Sequence, residues 1–169
     1  MNLINVEIKA KCADAGRVRE ILKQRQAHFA GTDHQIDTYF HVPAGRLKLR
    51  QGTIENSLIA YRRPDQSGPK TSDVVLAGVT NGDDLRGVLE RALGVLVAVD
   101  KQREIYFVGN VKFHIDQVEG LGGFVEIEAC GKRAEEAKLQ AQCREYMELF
   151  GIREEQLVTR SYSDLLMEK

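Results

Sequence analysis

The sequence predicts an α+β fold in which eight short antiparallel strands form a sheet able to close on its charged face, with helices packed outside. Three observations carry that reading. Short runs alternate polar and apolar residues with a period of two, turn residues follow one another closely enough to make neighbouring strands antiparallel, and other segments carry apolar residues at helical spacing.

The elements follow in order. Asn5, Glu7, Lys9 and Lys11 alternate with Ile4, Val6, Ile8 and Ala10, a first strand with one polar and one apolar face. Asp14 can cap a helix carrying Val18, Ile21, Leu22 and Arg25 that ends before Gly31. Four β-branched or aromatic runs come next, over 35–42, 46–51, 57–63 and 70–79, separated by segments rich in Gly and Pro. Asp83 opens a second helix with Leu85, Val88, Leu89, Ala92 and Leu93 on one face and Gly94 at its stop. Three more strands cover 95–107, 111–118 and 124–129, joined through Gly109 and Asn110 and through the segment from Gly120 to Gly123. A further helix, opened by a solvated stretch from Lys132 to Lys138, carries Leu139, Cys143, Tyr146, Met147 and Phe150 and stops at Gly151. The total is eight strands and three or four helices, read as a single domain over residues 1–169.

Bulk properties narrow the function. The chain of 169 residues is 43% hydrophobic and 29% charged, yet its net charge is only -1, which argues against a nucleic-acid partner or a membrane surface. The longest apolar run, from Leu93 to Val99, is far shorter than the roughly 20 residues of a membrane helix. Cys12, Cys130 and Cys143 form no C-x-x-C pair and leave an odd thiol, which favours a reducing cytoplasm.

The charges are sorted by strand face. Lys48 and Arg50 share one face, as do Lys101 and Arg103, while Glu126 and Glu128 form an acidic pair at the same spacing. Like charges side by side repel, and a merely wet face would mix signs, so this segregation asks for ligands. A polyanion such as triphosphate satisfies Lys and Arg, and a divalent cation such as Mg²⁺ satisfies carboxylates, for which Glu7, Asp116, Glu126 and Glu128 are the candidates. His28, His34, His41 and His114 show no paired spacing and are given no chemistry.

These residues fall into a known order. Asn5-Val6-Glu7-Ile8-Lys9 resembles the E-x-E-x-K signature of the CYTH superfamily, the triphosphate tunnel metalloenzymes. Downstream, Gln35 to Phe40, Leu47 to Arg50, Tyr61 to Pro64, Lys101 to Arg103, Asp116 and Val125 to Ala129 follow in the family's sequence. The resemblance implies an eight-stranded antiparallel β-barrel, or tunnel, that binds a nucleotide or other triphosphate with Mg²⁺ or Mn²⁺. It further implies Glu7, Asp116, Glu126 and Glu128 as metal ligands and Lys9, Lys48, Arg50, Arg63, Lys70, Lys101 and Arg103 as phosphate-binding groups. Glu7, Lys9, Lys101 and Arg103 form the implied catalytic set, and a homodimer is the implied assembly. Asn5 departs from the signature by replacing its first Glu with a neutral amide. Within the family the chain most resembles class IV adenylyl cyclases, with a triphosphatase as the alternative and a non-catalytic polyphosphate sensor as a third reading.

Overall fold

The computed structural model describes residues 3–66 and 68–169. Its strands are β1 (Leu3–Lys11), β2 (His28–Phe40), β3 (Arg46–Gly52), β4 (Asn56–Arg62), β5 (Lys70–Gly78), β6 (Val95–Val108), β7 (Val111–Val118) and β8 (Gly122–Lys132). Its helices are α1 (Ala15–Gln24), α2 (Gly82–Leu93), α3 (Glu136–Leu149) and α4 (Tyr162–Met167). The strands close in the order β1-β5-β4-β3-β2-β6-β7-β8, every pair antiparallel. Closure leaves the sheet without an edge.

Parity then decides what lies inside. Val6, Ile8 and Ala10 of β1, Phe113 and Ile115 of β7, and Val125, Ile127 and Ala129 of β8 all turn outward. There they meet Val18 and Leu22 of α1 and Leu139, Cys143, Tyr146 and Phe150 of α3. Phe113 packs edge-on against Tyr146 with ring centroids 4.7 Å apart. Each large apolar side chain buried in this layer contributes roughly 1.5–3 kcal/mol, so the main core lies outside the barrel and frees the inside for polar groups.

A second, smaller cluster closes one end. Tyr39, Val99, Val118 and Phe124 gather around Tyr162 at the start of α4. Ser161 caps that helix, accepting a hydrogen bond from the Asp164 amide at 3.2 Å.

Four expectations need correction. α1 ends at Gln24, not just before Gly31, because the chain reverses through Gln26, which adopts a φ of 56°. β2 therefore starts at His28 rather than Gln35, and Gly31 serves a bulge in the β2–β6 pairing. β8 runs on to Lys132, so the solvated stretch placed at a helix start is partly strand. The apolar stripe of α2 is not buried, and Val88 is 63% exposed; the helix is tied to β3 by Gln51 Nε2, which donates to Asp83 Oδ1 at 2.8 Å.

Candidate active site

The inward faces enclose a cavity of about 310 Å³. Strand by strand, β1 contributes Asn5, Glu7 and Lys9, β3 Lys48 and Arg50, β6 Lys101 and Arg103, and β8 Glu126 and Glu128. Arg63 lines it too, one residue past β4, while Arg62 points outward.

Two carboxylates organise the cations. Asp37 on β2 accepts both prongs of Arg50, Nε and Nη2 each at 2.9 Å, and Lys101 Nζ at 2.8 Å; Lys48 Nζ lies 3.2 Å away. Burial pushes Asp37 up, but Arg50, Lys101 and Lys48 together hold it well below the usual carboxylate range. Lys101, buried and crowded by Arg103, Arg50 and Lys48, is drawn down to about 7 against the pull of Asp37.

Asp116 does the same for Arg103. Its Oδ1 accepts from Nε at 2.7 Å and its Oδ2 from Nη2 at 2.6 Å, while Tyr162 Oη donates to Oδ2 at 2.7 Å. Both oxygens are thus occupied, and Asp116 stands behind Arg103 instead of facing the cavity as a metal ligand. Arg103 Nη2 reaches onward to Glu126 Oε1 at 3.0 Å, which keeps Glu126 ionised in spite of its burial.

The remaining acids line one wall. Glu7 and Glu128 are directly opposed in the β1–β8 register, an arrangement that repels unless a cation lies between or beside them; Arg63 pairs with Glu7. Among the described residues no three His, Cys, Asp or Glu side chains converge on one point. Glu7, Glu126 and Glu128 offer hard oxygen donors from the adjacent strands β1 and β8. The chemistry of that donor set suits Mg²⁺ or Mn²⁺ taking one or two protein carboxylates beside water and substrate, and not an all-protein cage.

Lys9 stands apart from these pairs. Its ammonium lies 4.0 Å from the centroid of the Tyr162 ring, and burial lowers its pKa. Lys70, in contrast, does not line the cavity, and its Nζ donates to the Thr159 carbonyl.

Sequence reasoning missed several lining residues. Asp37 shares a face with Gln35 and Tyr39, and the parity of β2 would have placed it. Lys112 and His114 share the inward face of β7, where strand parity does put them, and His114 Nδ1 lies 3.5 Å from Glu126 Oε2. Glu55 comes from the turn between β3 and β4, where parity does not apply. Tyr162 comes from α4, whose only sequence signal is Ser161 followed three residues later by Asp164.

A closed barrel whose interior is lined by clustered Lys and Arg, backed by buried carboxylates, defines a tunnel protein with a charged interior. Residues 3–162 match the CYTH domain, and the chain belongs to the CYTH family. It is 28% identical over 96% of its length to a Methanocaldococcus jannaschii protein whose adenylate cyclase name is provisional, covering 98% of that protein. It is 34% identical over 95% of its length to the adenylate cyclase CyaB of Aeromonas hydrophila, covering 87% of that protein. Among solved structures, a provisionally named adenylyl cyclase of Hippeastrum, described as having dominant triphosphatase activity, superposes with a TM-score of 0.63 at 15% identity, over 98% of this chain and 94% of that one. Among the described residues no helix is long and apolar enough to cross a membrane.

Proposed function

We propose that this protein is a metal-dependent enzyme that holds ATP in its barrel and acts as an adenylyl cyclase, releasing cyclic AMP and pyrophosphate. The observation that carries the reading is the division of one cavity into two kinds of wall. β1, β3 and β6 present cations suited to a polyphosphate, while Ile59 of β4 and Val74 and Leu76 of β5 present apolar surface suited to the organic end of a nucleotide. The adenylate cyclase names of the two relatives support the same choice.

In the reaction the ribose 3'-hydroxyl oxygen bonds to the α-phosphorus, the bond to the bridging oxygen of the pyrophosphate breaks, and the hydroxyl proton is released. Catalysis of this kind is chiefly positioning and neutralisation of charge on phosphate oxygens. Arg103 and Arg50, each locked by a forked carboxylate pair, offer donors that need no reorganisation. Lys9, Lys48, Lys101 and Arg63 add positive charge around the phosphates. Glu7, Glu126 and Glu128 would hold Mg²⁺ or Mn²⁺, which when bound supplies Lewis-acid stabilisation of phosphate oxygens.

A triphosphatase is the second reading, favoured by the activity attributed to the Hippeastrum protein, and a non-catalytic sensor is the third, with Asn5 in place of an acidic residue. Incubation with ATP and Mg²⁺ or Mn²⁺, followed by separation of products, tests both. Cyclic AMP with pyrophosphate supports the cyclase; orthophosphate without cyclic AMP overturns it in favour of the triphosphatase; tight ATP binding without turnover leaves a binding protein.

A further inference from the structure

Glu55 has no part in the chemistry above, yet the structure holds it firmly inside the cavity. It follows the far end of β3 from α4, since Arg46 at the start of β3 pairs with Asp164 of α4. The turn that carries it is fixed from within. Asp33, fully buried, accepts hydrogen bonds from Thr53 Oγ1, the Ile54 and Glu55 amides and Gln35 Nε2, each at 2.9 Å. The Glu55 carboxylate then crosses the opening, accepting from Lys112 on β7 and from Gln35 Nε2 on β2 at 3.0 Å, with Arg50 Nη1 on β3 3.4 Å away. Side-chain exposure rises from 1% at Lys101 through 9% at Arg50 and 20% at Lys112 to 27% at Glu55, which puts this carboxylate at the rim.

We propose that Glu55 is an electrostatic stop that limits the length of phosphate chain the barrel accepts, a role that rests on the triphosphate-binding reading above. A tube lined with cations holds any linear polyanion that can thread it. A fixed negative charge spanning one end makes threading costly, because each further phosphate would approach Glu55 and compete for Lys112. A chain that ends short of the rim leaves the bridge between Glu55 and Lys112 intact. The charge is a barrier against the wrong ligand and adds nothing to binding of the right one.

Calorimetric titration with tripolyphosphate and with long-chain linear polyphosphate tests this on the wild type, Glu55→Gln and the Glu55→Gln/Lys112→Met double variant. The wild type should favour tripolyphosphate. Glu55→Gln should shift the affinity ratio toward the long chain by about tenfold or more, and the double variant should keep that shift. An equal gain for both ligands overturns the proposal, and so does a shift that vanishes with Lys112, since the effect would then come from a freed cation. If Glu55→Gln does not fold, Glu55→Ala gives the same comparison, because Asp33 grips the turn through its backbone. Binding of tripolyphosphate without turnover of any triphosphate would sink the enzymatic reading and leave the ratio to decide for Glu55; no binding at all would sink both.

Discussion

Lys9 and Asp37 show how differently two buried charges in one cavity can behave. Lys9 has an aromatic ring beneath it and faces Glu126 across the β1–β8 register, but burial outweighs that attraction and lowers its pKa, so in the empty protein its charge is a net cost. Lys9→Met should therefore leave stability in denaturant unfolding unchanged or slightly raised, while calorimetry shows triphosphate affinity falling on the order of a hundredfold. Asp37 is the reverse case. Asp37→Asn strands Arg50 and Lys101 without their counter-charge and should cost about 3–5 kcal/mol in urea unfolding at neutral pH, a loss that added tripolyphosphate partly restores. At this scale the sequence exposes runs of like charge, because the strand period puts Lys48 with Arg50 and Lys101 with Arg103. It gives a single charge such as Asp37 a face, through the parity of β2, but not a role, because its partners come from other strands and have no spacing of their own.

Turns and element ends are where local chemistry competes with tertiary demands. A Cβ added at Gly52 would lie 2.6 Å from Asp33 Oδ1 and from the Glu55 carbonyl oxygen, so the turn between β3 and β4 folds this tightly only with glycine there. Gly52→Ala should destabilise by about 1–3 kcal/mol, measured by thermal unfolding, and should loosen Glu55 as well. The strands themselves were legible, since alternation of polar and apolar residues is a local signal. The end of α1 was not, because Gln26 turns the chain with an unfavourable φ and no glycine marks it. Gly31 then looks like a helix stop although it serves a strand bulge packed beneath Ile54. α4 is only six residues long and takes its order from burial of Tyr162 in the barrel end, which no short-range pattern announces.

For the molecule as a whole, the concentration of buried ion pairs sets the response to acid. Asp37, Asp116, Glu126 and Glu55 all have folded pKa values below their ordinary ones, with Glu55, chiefly against burial and through Lys112, at about 2 in place of 4.5. The folded state thus binds fewer protons than the unfolded one in this range. Their stabilisation is complete above the unfolded values and is lost as pH falls through the folded ones. Melting temperature should hold steady between about pH 5 and pH 7 and drop steeply below about pH 4, and Glu55→Gln should flatten part of that drop. Lys101 works in another window: with a folded value near 7 against 10.5 unfolded, it makes stability rise with pH between those limits.

The barrel is also insulated unevenly. α1 and α3 cover the outside of β1, β7 and β8, whereas β4 and β5 turn Ala60, Val75 and Ala77 to solvent, with Val75 74% exposed. Backbone amides of β4 and β5 should therefore exchange with deuterium faster than those of β1, β7 and β8. Glu7, Glu126 and Glu128 stand with Lys9 on the clad side, and the apolar wall of Ile59, Val74 and Leu76 stands on the bare one. On the proposed reading a metal held by these acids has a rigid anchorage, while the organic part of the ligand rests against a yielding flank, so the design is strict about its handle and lenient about its cargo.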